Sequence, residues 1–504
     1  MRTLPLAPAL MLALMLACDP PIDIEEPAPE CEGLDLEACL LPWPSSRYLV
    51  SDPGTSTGYR VALPPEAMPS NVVEVPVDPA PWNRWDGFSA MTSAIAQLPV
   101  RIDASNLVDF RHVERSLDDA SPTILLDVTT GERVAHFAEL ETAAGADPSR
   151  STIYVRPAAR LTEGHRYVVA LRALRSAGGG EVPLSAAFRA LRDGRATTSE
   201  RLEARRAAFE RDVLAPLVRA GVRRESLVLA WDFVTASGSS GWGDLRAMRD
   251  DAVARAGSAG LGCTVTEVTE DPSDPHVWRR IEGTYSVPSY LDADGRLARD
   301  ASGAPRSTGE VEAPFTVIVP RSAQGEPAPG TRLVIFGHGL LSSRQEMMQA
   351  FLLEQADRDR MILAGTDLIG LATGDEAALV PALIDLNGFS AVMDRIAQSL
   401  VAQLLLPRAI AGRCSDEPAF RDSNIPFVDG SRRYYYGLSQ GGNFGPTFAA
   451  LSDDVDRFVM GVGGISFPIQ ITRSVHLPRL EEVLAAGYPS RIDRDLLMVM
   501  FAHH

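Results

Sequence analysis

Tyr434-Tyr435-Tyr436-Gly437-Leu438-Ser439-Gln440-Gly441-Gly442 is a short apolar strand that passes through G-x-S-x-G into a helix-forming run, Gly442 to Leu451. A serine between two glycines can occupy a strained strand-to-helix turn, with its Oγ projecting above the end of a sheet. Gly437 and Gly441 fit that turn because side chains there would collide with the neighbouring strand and helix. The first amides of the helix would then face the charge that develops when Ser439 attacks a carbonyl. The same pentapeptide arises by chance in glycine-rich chains, so its meaning depends on its surroundings.

The chain has 504 residues, 45% of them hydrophobic, enough for one large core or two ordinary ones. Its formal charge of -18 argues against nucleic acid or anionic lipid as a partner, since both are bound by clustered positive charge. All 48 basic residues are arginine. Without lysine there is no Walker A motif, no Schiff base and no S-x-x-K pair. No H-E-x-x-H or C-x-x-C occurs either, so no metal and no cofactor is expected.

Met1-Arg2 followed by the apolar run Leu4 to Leu16 has the charge and length of a secretory signal and is too short to span a bilayer. Met15-Leu16-Ala17-Cys18 resembles the lipobox of bacterial lipoproteins, with Met15 in place of the usual leucine; the resemblance implies a signal peptide over 1–17 and lipidation at Cys18. The other outcome is an ordinary secreted protein cleaved nearby. Asp19 to Glu30 is acidic and proline-rich, so 18–45 reads as an extended tether lifting a domain off a membrane. Export with an even number of remaining cysteines favours disulfides, and of the three pairings Cys31–Cys39 with Cys263–Cys414 is preferred.

Period-two alternation marks strands at Thr123 to Val128, Ile153 to Val155 and Tyr167 to Leu171, with turns at Thr130-Gly131 and Glu163-Gly164. Short strands at this spacing predict a β-sandwich. Ile153 to Leu161 leading to Gly164-His165-Arg166-Tyr167 resembles the last hairpin of bacterial Ig-like modules, over roughly residues 97–193. A capping box at Thr197-Thr198-Ser199-Glu200 opens a helix with Leu202, Phe209, Val213 and Leu217 on one face, expected to bridge two domains. The expected division is therefore 46–235, an Ig-like β-sandwich with its bridging helix, and 236–504.

In the second region strands are predicted at Arg279 to Val287, Phe315 to Val319, Arg332 to Phe336, Met361 to Ala364, Arg433 to Tyr436 and Phe458 to Val462, with helices at Arg344 to Asp357 and Gly388 to Leu405. Alternation of this kind predicts a mostly parallel sheet flanked by helices, its first two strands antiparallel and its active site at the carboxyl ends of strands. Gly337-His338-Gly339-Leu340 follows one such strand about a hundred residues ahead of G-x-S-x-G. With both motifs in place, residues 260–470 resemble an α/β-hydrolase, specifically the bacterial extracellular lipase-like proteins with an extra β domain in front. The resemblance implies Ser439 as nucleophile and an oxyanion hole from the amides of Gln440 and the Gly339-Leu340 turn, with His338 orienting that turn.

Family order places an acid and then a histidine after the serine. Residues 440–504 must supply a helix, a strand, a covering segment and two further loops, so the strands bearing acid and base are expected to lie past residue 504. Within the chain Asp493 or Asp495 and then His503 or His504 stand in the right order, Asp495 and His503 being preferred; His476, in the expected lid, is a weaker alternative. The function expected is an exported serine carboxylic-ester hydrolase, a lipase or esterase acting on a small-molecule or lipid ester, held at the cell envelope by its lipid anchor or secreted. The competing class is an inactive, hydrolase-like surface lipoprotein that binds a partner.

Overall fold

The computed structural model describes residues 20–501 apart from 36–37, 143–145, 326–329, 465–469, 471–473 and 475–476. The expected signal peptide, Cys18, His476, His503 and His504 lie outside the described residues.

The carboxyl-terminal region is built on a seven-stranded sheet: β1 (Cys263–Glu270), β2 (Val277–Ser289), β3 (Gly309–Pro320), β4 (Arg332–Gly337), β5 (Met361–Thr366), β6 (Arg433–Leu438) and β7 (Arg457–Gly461), in the order β1-β2-β3-β5-β4-β6-β7. The sheet is mixed, which corrects the mostly parallel expectation. β1, β2, β3 and β5 pair antiparallel, while β5-β4, β4-β6 and β6-β7 are parallel. The cause is connectivity: β1, β2 and β3 return directly on one another, whereas the chain inserts helices from β4 onward, and a parallel neighbour requires such a crossover. A helix Gly243–Ala256 precedes β1, and the α-helices after β4 among the described residues are α1 (Ala350–Arg358), α2 (Glu376–Ile384), α3 (Phe389–Ala411), α4 (Gln440–Leu451), α5 (Pro478–Gly487) and α6 (Arg491–Met500). Alternation along β4 divides the packing: Leu333 and Ile335 join the cluster with α3 and Phe448 of α4, and Val334 and Phe336 face Leu352 and Leu353 of α1.

Besides the two-stranded pair Leu49–Ser51 and Tyr59–Val61, the amino-terminal region contains two larger antiparallel sheets. One runs Ala94–Leu98, Ser151–Pro157, His136–Leu140; the other runs Glu132–Arg133, Thr123–Asp127, Arg166–Arg172, Leu227–Val234. The helix opened by Ser199 buries Leu202, Phe209, Val213 and Leu217 as its spacing predicts, yet all four enter the amino-terminal core rather than bridging to the other sheet. The tether expectation over 18–45 is also corrected. From Ile22, whose amide donates to Ala196 O at 2.8 Å, the segment is packed: Ile24, Leu34 and Trp43 are buried and Glu32 Oε1 accepts from Arg205. Its few apolar residues stand among prolines and acids, which hid their burial from a compositional reading.

Nor is 236–504 self-contained. α2, α5 and α6 share a hydrophobic cluster with the amino-terminal sheets, Trp82 Nε1 donates to Met500 O (3.0 Å), and the rings of Phe389 and Phe501 are 4.9 Å apart. Cys31–Cys39 and Cys263–Cys414 are disulfide-bonded.

Candidate active site

β6 ends at Leu438, and Ser439 turns the chain into α4 at φ 51, ψ -109. For a non-glycine residue this left-handed backbone costs about 1–3 kcal/mol and persists only where the surroundings enforce it. Here they do. A Cβ on Gly441 would lie 2.1 Å from Gly337 O, and one on Gly437 would lie 2.3 Å from Gly441 O, so strand β4, strand β6 and the start of α4 meet backbone to backbone. Tyr435 Oη donates to Gly441 O (2.6 Å), Gly441 N–H donates to His338 O (2.9 Å), and Ser439 N–H donates to Gly461 O (2.9 Å). A Cβ on Gly463 would lie 2.7 Å from the Gly442 carbonyl carbon; the second glycine run serves close packing. The result is a serine exposed at the carboxyl end of the parallel half of the sheet.

The turn after β4 lies beside it. His338 is fully buried, and burial pushes its imidazole below the ordinary range, so the ring is neutral. Its Nε2 accepts from Leu368 N–H (2.8 Å), which places the ring proton on Nδ1, and Nδ1 donates to Gly339 O (2.7 Å). Across a trans peptide the next N–H points opposite to that carbonyl. His338 thereby fixes the direction of the Leu340 amide and has no free nitrogen for proton transfer. Gly339 is corrected as an oxyanion donor, because its own amide donates to Glu346 Oε2 (2.6 Å). Leu340 remains, with Gln440, whose amide at the first position of α4 has no intrahelical acceptor. The Gln440 side chain is buried, with neither Nε2 nor Oε1 partnered.

Among the described residues no histidine and no carboxylate hydrogen-bonds Ser439 Oγ. His112 sits by Glu114, His136 bonds Thr123 and Val134, His165 bonds Asp127, and His276 bonds Asp357. Asp495, the expected acid, is corrected: it lies within α6, 2% exposed, and accepts from Arg491 Nε at 2.8 Å. Arg491 also binds Glu481 (2.8 Å) and, in the amino-terminal region, Glu141 (3.0 Å). Burial, opposed by Arg491, pushes the Asp495 carboxyl up to about 7. Asp493 is in the first turn of the same helix, its amide donating to Ser490 Oγ. Asp367, at the end of β5, accepts from Arg344 through both oxygens and is structural.

Glu346 was not foreseen; a single acid in a helical stretch carries no local signal for a bond to a turn seven residues back. Asn443, one turn past Ser439, was also missed: its Oδ1 accepts from Gly464 N–H (2.6 Å) and its Nδ2 donates to Gln470 (2.9 Å).

The strand–turn–helix unit on the parallel half of this mixed sheet has the geometry of a nucleophile elbow. No family model matches the chain, and no curated protein does. Among solved structures it is similar to an acetyl xylan esterase from Paenibacillus sp. R4, at 18% identity and TM-score 0.30 over 52% of this chain and 73% of that one. Acetyl xylan esterase 1 from Thermoanaerobacterium sp. JW/SL YS485 follows at 13% identity and TM-score 0.30, covering 52% and 72%. The rice cell wall degrading esterase LipA from Xanthomonas oryzae matches at 15% identity and TM-score 0.22, covering 42% and 52%.

Proposed function

We propose that this chain is an exported serine carboxylic-ester hydrolase. Ser439 Oγ attacks the ester carbonyl carbon, the alkoxide leaves as the alcohol with the serine proton delivered through a base, and water then releases the acid from the acyl-enzyme. Negative charge on the carbonyl oxygen is received by the amides of Leu340 and Gln440. The observation that carries this proposal is the backbone of Ser439, held at φ 51 by glycine packing with its side chain exposed beside the turn fixed by His338. For the base we retain His503, and for export we retain the signal peptide and acylation at Cys18. The amino-terminal sheets we read as an Ig-like sandwich, supported by Tyr167, whose Oη accepts from Thr162 N–H (2.9 Å) five residues upstream in the manner of a tyrosine corner.

The engagement of Asp495 by Arg491 favours a second function, a hydrolase-like lipoprotein that binds without catalysis. A fluorophosphonate probe separates the two, because an unactivated serine reacts very slowly. Labelling that Ser439→Ala abolishes supports the esterase; absence of labelling in folded protein supports the binder.

A further inference from the structure

Helix α2 is apolar on both sides. Leu379, Ala382 and Leu383 face the core, and the opposite side, Ala377, Ala378, Val380, Pro381 and Ile384, is exposed, with Glu376 the only charge in the helix. An ordinary surface helix carries polar residues there. Beside it projects the turn Asn71-Val72-Val73-Glu74-Val75, whose three valines are 52%, 71% and 40% exposed. This turn is built to hold them out. Asn71 is buried and its Oδ1 accepts from the amides of both Val73 (3.1 Å) and Val75 (3.0 Å), while Glu74 takes a left-handed φ of 62.

The turn and the helix form one surface. Val72 N–H donates to Gly487 O (2.8 Å), and a Cβ on Gly487 would lie 2.5 Å from Ile384 O. Asn387, just past α2, donates to Pro76 O (3.1 Å) and accepts from Asp78 N–H (2.6 Å). The surface is also tied to the catalytic turn: Leu341 N–H donates to Leu371 O (2.9 Å) and Thr373 N–H to Ser342 O (2.7 Å), immediately before α2 begins.

We propose that the α2 face and the 71–76 turn form a docking surface for uncharged lipid, and that the ester presented to Ser439 lies in that lipid surface. The substrate half of this proposal rests on the esterase reading; the docking half does not. Several features select lipid over a protein partner. A cavity at the edge of this surface, lined by Val77, Asp78, Leu386 and Asn387, takes in none of the exposed side chains of the turn or of α2. Those side chains are small or β-branched aliphatics, without the Trp, Tyr or Arg that anchor protein interfaces. Within the two segments the ionisable groups are Glu74 and Glu376, and Asp78, Asp385 and Arg296 stand at their edge by Asn387; the acids outnumber the arginine and repel anionic headgroups, in keeping with the formal charge of -18.

The test is flotation of the full chain carrying Cys18→Ser, so that no acyl chain contributes, with phosphatidylcholine vesicles. The expected result is co-flotation, with partitioning about tenfold weaker in Val73→Ser/Ile384→Ser at unchanged melting temperature. Three results overturn the proposal: the parent remains in the soluble fraction, the double variant binds as well as its parent, or light scattering shows a dimer that the double variant dissolves. Vesicle binding without fluorophosphonate labelling keeps the docking surface and removes the esterase; labelling without vesicle binding does the reverse.

Discussion

Ser439 and Asp495 occupy opposite kinds of environment. Ser439 is exposed on strained backbone, and what holds it is the absence of side chains at Gly337, Gly437 and Gly441. Asp495 is buried on regular helix and held by a charge, Arg491, which it shares with Glu481 and with Glu141 of the other region. The first environment is largely local: two glycines and a serine within a strand–turn–helix unit, plus Gly337 on one parallel neighbour. The second exists only once two distant parts of the chain have docked. Ser439 is kept reachable by backbone geometry, whereas Asp495, held in an ionic cluster between two regions, is enclosed.

The sharpest way to break this contrast is Arg491→Met. It leaves Glu141, Glu481 and Asp495 close together without their cation, and loss of one partner from a buried ionic cluster costs about 3–5 kcal/mol. Urea unfolding measures it; a loss below about 1 kcal/mol would mean that solvent, rather than Arg491, satisfies the three carboxylates. Gly441→Ala comes next. Overpacking costs about 1–3 kcal/mol, and here the added methyl meets backbone that cannot rotate away, so fluorophosphonate labelling is expected to disappear even where the variant remains folded. Unchanged labelling in Gly441→Ala would show that the elbow does not depend on close backbone approach.

Much of the fold was legible for the same reason that the elbow was. β2 to β6 each contain a predicted strand and β7 overlaps the one predicted at Phe458 to Val462, because β-branched and aromatic runs bounded by turns need no knowledge of the partner strand. β1, Cys-Thr-Val-Thr-Glu-Val-Thr-Glu, was missed: it is an edge strand with much of its length exposed, so its sequence carries little hydrophobic alternation. The packed segment from Ile22 to Trp43 was missed because two isoleucines among prolines resemble linker composition. The sharp turn at Ser439 and the close packing of its glycines were readable from motif spacing, and the place of His338 on the neighbouring turn followed from the family resemblance. Asp495 was misassigned because chain order says nothing of whether Arg491, four residues earlier on the same helix, already holds the carboxylate.

A smaller effect is expected where the two environments overlap, at Glu346, a carboxylate that holds the turn after β4 through the Gly339 amide. Glu346→Ala should slow labelling of Ser439 by on the order of tenfold, since a displaced turn misplaces the Leu340 donor. Glu346→Gln keeps an acceptor and should stay within about twofold. Equal loss in both variants would indicate that the charge, not the hydrogen bond, matters.

The smallest effect is expected at Asp495 itself and depends on pH. Its carboxyl is pushed up to about 7, by burial that outweighs Arg491, from an ordinary 3.8. Between these values the folded chain keeps a proton that the unfolded chain has released, so this group's contribution to stability falls as pH rises from about 4 to 7 and stays at its low level above that. Asp495→Asn removes the ionisation while keeping shape and one acceptor for Arg491. The variant should therefore match the parent near pH 4.5 and exceed it by about 1 kcal/mol at pH 8, less than the full linkage value because Arg491 loses a charged partner. Melting temperatures at the two pH values decide the matter. If Asp495→Asn is equally destabilising at both, the carboxylate is ionised and satisfied by Arg491, and the enclosed acid would differ from the exposed serine only in its depth.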